Sequence, residues 1–325
     1  MLCILYVIAI GTLLGVAGLL AEQVLPPTLQ RRWLWCTVIV ASLFVPGYYR
    51  VHHNVAVANV LGRSTAVTAL AAAHSVPAIR ALDPEWWARV ESYDASINVM
   101  WRIASAALVL WGLTGAWRVW RAVRASRSSR RAGGSSVLDG VPIIVTSTLG
   151  PATVGLWRAR VLLPRWVLGL PKAQRDYVIR HEDEHRRSHD ADLLFLASLT
   201  LVLAPWNLAL WWQLRRLHLA IEMDCDARVV AALGDATTYG ETLLAVAQMS
   251  GGGPRLQPAF LGGAGMLERR LIQLMHPAPA RRAQRFLLPI VALGLLVVAL
   301  ATPHPIVEHG AAHAPGTHVR SPDRR

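Results

Sequence analysis

Apolar residues run with almost no interruption through residues 1–21, and shorter runs follow at 33–49, 103–120 and 286–302. Each is long enough, or nearly so, to cross a hydrocarbon core, which predicts about three spans in residues 1–120 and a fourth near 286–302. The first run lacks the basic flank of a secretory signal and reads as a span. Arg31 and Arg32 precede the second, and Arg102 and Arg118 sit near the ends of the third, where long stems let the charges reach the interface. Residues 50–96 are less patterned. The Ala-rich stretch Val67–Ala73 is mildly apolar and suits an interfacial helix, and Asp83–Asp94 mixes acidic residues with Trp86, Trp87 and Tyr93 in the manner of a membrane-surface anchor.

Between the third and fourth runs the periodicity changes. A basic, Gly/Ser-containing linker at 121–136 leads into Val141–Val145 and Ala159–Leu163, two short strand-like runs separated by a Gly150-Pro151 turn, the second ended by Pro164. A small sheet here would offer an edge to an extended peptide, or would only pack on the following helix. That helix starts near Pro171, which is tolerated in a first turn. Gly234 ends a later helix, Tyr239–Met249 is amphipathic, Gly251–Gly265 reads as a loose segment, and residues 303–325 form an aperiodic tail read as disordered.

Composition sharpens the membrane reading. The chain of 325 residues is 54% hydrophobic and 16% charged, so an ordinary soluble enzyme is excluded. A net charge of +13 comes from arginines and one lysine, Lys172, and lies beside apolar runs, so it points to membrane topology and not to nucleic acid. Arg121, Arg124, Arg127, Arg130 and Arg131 form a positive-inside cluster, which puts the following domain in the cytoplasm and the N-terminus and C-terminal tail outside. Three cysteines, Cys3, Cys36 and Cys225, make no disulfide framework, and Cys225 fits a reducing compartment.

The chemistry sits at His181-Glu182-Asp183-Glu184-His185. Four-residue spacing places both imidazoles on one helix face with Glu182 beside them, the arrangement of an H-E-x-x-H zinc hydrolase. Chance gives this pattern about 0.01 times in a chain of such composition. The rival is a charged surface helix laced by Arg180, Asp183, Glu184, Arg186 and Arg187. A second half-site follows about forty residues later, where His218, Glu222 and Asp226 share a face. The apolar run Leu193–Trp212 lies between, and a full crossing would separate the two halves by about 30 Å of hydrocarbon. Pro205 and Asn207 interrupt it, so the run is predicted to be a helical hairpin turning at Ala204–Asn207. Glu222 is then the third ligand beside His181 and His185, with Glu182 as general base. Asp226, one turn on, would hold a ligand ring, unless it only pairs with Arg186 or Arg228. His189 and His218 are read as a surface residue and a packing or supporting residue.

Three spans, a basic linker, Gly155-Leu156-Trp157-Arg158 with Val161-Leu162-Leu163-Pro164, His181-Glu182-x-x-His185, Asp190, and Glu222 with Cys225-Asp226 together resemble the BlaR/MecR-type membrane metallopeptidases over residues 1–302. The resemblance implies Zn2+ on His181, His185 and Glu222, Glu182 as general base and Asp226 supporting a ligand. It also implies a mainly α, integral membrane fold of about four transmembrane helices plus a cytoplasmic gluzincin-like α+β domain. The expected layout is a membrane region at 1–120, the linker at 121–136, a peptidase domain at 137–280 with its hairpin at 190–233, a span at 286–302 and the tail. The expected activity is regulated cleavage of a cytoplasmic or membrane-proximal protein, a transcriptional repressor first of all, with self-cleavage secondary. The expected partners are that protein and the lipid bilayer, with a homodimer allowed and no direct nucleic-acid binding. Two departures stand out. Asp183 and Glu184 are charged where zinc peptidases more often carry apolar residues, and Gly169 stands three before the single Lys172, so the Ser-x-x-Lys nucleophile of the β-lactam receptors is missing from these residues. The main alternative is a non-proteolytic signalling or scaffold protein with a metal-stabilised fold. A transporter leaves Glu182 and the sheet unexplained.

Overall fold

The computed structural model describes residues 2–24, 30–61, 93–128, 136–138, 140–147, 149–250, 264–276 and 282–301. The interfacial stretch at 67–73, the acidic stretch up to residue 92, most of the Gly251–Gly265 segment and the tail fall outside them. The described chain is mostly helical, with one small sheet. Among the described residues, two helices are long and apolar enough to cross a membrane, at Ile4–Val24 and Ala95–Ala125.

The first apolar run forms α1 (Leu2–Val24), and Arg31-Arg32 opens α2 (Arg31–Leu61), which contains Pro46. Helix α2 runs well past the expected 33–49. Tyr6, Ile10 and Leu14 of α1 and Trp35 and Ile39 of α2 bury their side chains with Leu210, Leu214, Leu217 and Ile221 of a later helix. Gly18 lets α1 approach closely, since a Cβ there would lie 2.8 Å from Val38. Polar pins fix the register of these apolar surfaces. Gln213 donates to the Gly11 carbonyl at 2.7 Å and to Ser42 at 2.9 Å, and the Glu22 carboxylate accepts from Trp35 at 3.0 Å and from Arg216 at 2.5 Å. Where apolar packing alone cannot choose a register, such bonds do.

Helix α3 (Asp94–Ser128) is longer than the predicted 103–120 run, and its span is not covered by the rest of the described chain. Arg121 and Arg124, expected in the linker, belong to its last turns and lie over Trp117 and Trp120 at 4.7 and 5.1 Å from the ring centres. The linker is therefore shorter than residues 121–136 at its N-terminal side.

The two predicted strands are β2 (Val141–Thr146) and β4 (Arg160–Pro164), joined by β1 (Ser136–Leu138) and β3 (Ala152–Val154) in the order β1-β2-β4-β3. They pair in parallel, Ile143 opposite Val161. Strand β3 runs antiparallel to β4 with Thr153 opposite Val161, and forms one free edge. After the short α4 (Arg165–Leu168), α5 (Lys172–Arg187) begins behind Pro171 and packs Val178 and Ile179 against Val161, Leu163 and Val167. The last three are fully buried, each contributing about 1.5–3 kcal/mol.

Helix α5 stops where His189 takes a left-handed φ of 55°, so the i,i+4 histidine series ends at His185. Helices α6 (Asp190–Leu203) and α7 (Leu208–Leu233) form the predicted hairpin, turning at residues 204–207. Protein groups pair with the backbone of the turn: Asn207 Oδ1 accepts from the Ala209 and Leu210 N–H groups at 3.0 and 3.4 Å, and the Leu203 and Pro205 carbonyls accept from Trp101 and Trp211 at 3.0 and 2.9 Å. Helix α8 (Ala236–Ser250) starts three residues before the predicted Tyr239. Helix α9 (Ala264–Met275) takes up Gly265, which the sequence reading assigned to the loose segment. Helix α10 (Arg282–Ala301) packs along α1, and its apolar part, Pro289–Ala299, is short.

Candidate metal centre

The hairpin returns α7 against α5, and this brings the two halves of the motif together. His181 Nε2 and His185 Nε2 lie 3.2 Å apart. Glu222 places Oε2 at 3.6 Å from the first and Oε1 at 3.8 Å from the second. Three donor atoms on the corners of a tetrahedron with bonds of about 2.0–2.1 Å are about 3.3 Å apart. The spacings found here are close to that size, with a different Glu222 oxygen nearest each nitrogen, and two imidazoles with a carboxylate are a donor set that suits a zinc ion.

The outer partners select the matching tautomers. His185 Nδ1 donates to Asp190 Oδ2 at 2.8 Å, which leaves Nε2 its lone pair. His181 Nδ1 is 2.9 Å from the Tyr239 hydroxyl, which in turn donates to Asp226 Oδ1 at 2.6 Å. Asp226 itself stands 3.6 Å from His181 Nδ1, so its link to the ring passes through Tyr239. Its charge is met by Arg270 of α9, at 2.8 and 2.7 Å, and not by Arg186 or Arg228. The same guanidinium reaches Glu222 Oε2 at 2.9 Å. Burial alone would raise the Glu222 carboxyl, but Arg270, His181 and His218 hold it well below the usual range. His218 Nε2 lies 3.4 Å from Glu222 Oε1, in a supporting position.

Cys225 competes for the third position. It is fully buried, and together with His181 and His185 it forms a second compact group of donors. Its sulfur lies 3.3 Å from Nδ1 of His181, the nitrogen that also meets the Tyr239 hydroxyl at 2.9 Å. A site on the two facing Nε2 atoms and Glu222 leaves that contact undisturbed, which favours the carboxylate as third donor. Burial would lower both histidines, but the neighbouring Cys225 sulfur and acidic partners outweigh it, taking His181 up to about 10 and His185 well above its ordinary value.

Glu182 is buried beside the triangle, and Thr153 Oγ1 lies 3.1 Å from its carboxylate and 2.7 Å from its carbonyl. Edge strand β3 is thereby fixed to the helix that carries the motif. Asp183 and Glu184, unexpected inside an H-E-x-x-H motif, are buried away from it. Asp183 is held by Arg186 and Arg187, and Glu184 by Arg180 and Arg228. His189 points outward and pairs with Asp192. A cavity of about 510 Å³ joins the triangle, Glu182 and Thr153 to apolar walls that include Leu194, Val246 and Val119, the last from the long apolar helix α3.

A family model described as BlaR1 peptidase M56 matches residues 4–274. The chain belongs to that family. No curated protein and no solved structure matches it. The M56 match takes in α1 through nearly all of α9, so both helices long and apolar enough to cross a membrane and every side chain of the centre lie inside it, and the chain is a membrane-associated member of a metallopeptidase family. Among the side chains around the centre, sequence reasoning passed over Thr153, Tyr239 and Arg270, and gave Asp190 no role. The Leu267, Leu271 and Leu274 spacing was a usable signal for α9, and hence for Arg270. Nothing local to Thr153 or Tyr239 marks them.

Proposed function

We propose that this chain is a membrane-embedded, zinc-dependent endopeptidase that cleaves a cytoplasmic or membrane-proximal protein, a transcriptional repressor, in regulated proteolysis. The observation that carries the reading is the convergence of His181, His185 and Glu222 within 3.8 Å, with Glu182 buried alongside. Zinc in such a site polarises a scissile carbonyl and makes water more acidic. His181 and His185 offer Nε2, with Nδ1 fixed by Tyr239 and Asp190, and Glu222 offers a carboxylate oxygen. Glu182 takes a proton from the attacking water and delivers it to the leaving amine nitrogen, and Thr153 orients its carboxylate. An extended peptide adds to the free edge of β3, which leads past Glu182. The wall supplied by Val119 of α3 favours a substrate close to the membrane.

In this reading about four helices cross the membrane, α1, α2, α3 and α10, and the peptidase lies in the cytoplasm, as the arginines at the end of α3 favour. One observation supports a second reading, a non-proteolytic scaffold: Arg270 already balances Glu222 and Asp226 with an ion pair. Comparison of N-terminal peptides from cells carrying wild type or Glu182→Gln under cell-wall stress separates the two. The peptidase reading expects peptides that vanish with Glu182→Gln, and identical profiles with zinc bound favour the scaffold.

A further inference from the structure

Helix α2 reaches the metal centre through a buried carboxylate, Asp190. Arg32, its second residue, places Nη1 at 2.7 Å from Asp190 Oδ1, while Asp190 Oδ2 accepts from His185 Nδ1 at 2.8 Å. The Arg32, Asp190 and His185 side chains are only 9, 3 and 12% exposed. Arg228 is the other cation nearby, at 3.8 Å from Asp190 Oδ2, and it spends its Nε on Glu184. Arg32 is thus the closest positive partner of the carboxylate that fixes the His185 ring. The start of α2 is held from the other side as well. Asp224, two residues beyond Glu222, accepts from the Arg31 and Arg32 N–H groups at 3.3 and 3.1 Å, and the Ser188 carbonyl faces Arg32 at 3.4 Å. The first turn of α2 is therefore wedged between the α5–α6 junction and α7, the two places that carry the candidate ligands.

We propose that Arg32 is a positioning residue for the metal ligand His185, through which displacement of α2 sets how firmly the centre holds its metal. The proposal rests on the zinc reading of the site. A buried carboxylate stripped of its cation keeps a full charge with reduced compensation, and it shifts toward whichever donor remains. For Asp190 the remaining partners are His185 and the distant Arg228, so the carboxylate is no longer clamped in place by Arg32, and the His185 ring moves with it. Displacements of helices by 1–2 Å are ordinary in switching transitions, and one of that size breaks a 2.7 Å contact.

The test uses the full chain in detergent or nanodiscs, loaded with zinc, and measures the rate of zinc loss to a chelator and the visible spectrum of the cobalt-substituted protein. Loss of an outer partner costs about 10–100-fold in metal affinity. Arg32→Met and Arg32→Gln are expected to release zinc about tenfold faster than wild type and to change the cobalt bands. Arg32→Lys should restore most of the difference. Arg124→Met, which removes an exposed cation stacked on Trp120 of α3 and touches none of these groups, should leave the rate unchanged. If Arg32→Met does not fold, the contrast between Gln and Lys carries the same information. Wild-type release from Arg32→Gln, or equal acceleration by Arg124→Met, overturns the proposal while leaving the centre intact. A wild-type chain that takes up no zinc overturns the zinc reading itself.

Discussion

Thr153 on the edge strand and Glu182 on the motif helix share a hydrogen bond, with Thr153 Oγ1 at 3.1 Å from the carboxylate. One hydroxyl proton serves either that oxygen or the Glu182 carbonyl at 2.7 Å. The contact can therefore pass from backbone to carboxylate as Glu182 changes its proton. Thr153→Val should keep zinc and lower peptide cleavage about tenfold, the 1–1.5 kcal/mol of a lost hydrogen bond. Metal content and turnover measured on the same preparation check it.

Tyr239→Phe removes the only atom that joins His181 to Asp226 in the described hydrogen-bond path. Zinc affinity should fall about 10–100-fold, as for other outer partners. Asp226 remains paired with Arg270, so the melting temperature of the metal-free chain should change much less than the affinity.

The hairpin turn gives a stability prediction. Asn207 is fully buried, and its Oδ1 caps α7 through two N–H groups. Asn207→Ala should destabilise the chain by about 0.5–2 kcal/mol. Thermal unfolding in detergent reads it, with Asn207→Asp retaining the cap oxygen as the comparison.

The spacing of His181, Glu182, His185 and Glu222 was legible because helical periodicity fixes which residues share a face, and the hairpin followed because one ion cannot be shared across a bilayer. The contributions of Thr153, Tyr239 and Arg270 were not legible, because their partners lie 29, 58 and 44 residues away in the chain. No local pattern encodes contacts of that separation. Helix α3 outran its prediction at both ends because its polar ends, Asp94 and the arginines, remain helical beyond the apolar run. Arg32 read simply as a topology signal, and its second use, as the cation beside Asp190, appears once α2 is placed against α6.

Proton release accompanies metal entry. His181 is raised to about 10 and His185 well above its ordinary value in the metal-free chain by Cys225 and their acidic partners, so the pair holds added protonation near neutral pH. Ligand histidines must be neutral, and zinc therefore displaces protons on binding. Apparent zinc affinity should rise with pH through the neutral range. Calorimetry in buffers of different ionisation enthalpy should show net release, and an affinity independent of pH contradicts it.

The ligand set itself is the central claim, and zinc K-edge X-ray absorption on the full chain tests it most directly. With His181, His185 and Glu222 as ligands, the first shell contains only nitrogen and oxygen, at about 2.0–2.1 Å. A sulfur scatterer at about 2.3 Å that disappears in Cys225→Ser would put Cys225 in the place of Glu222 and contradict the account.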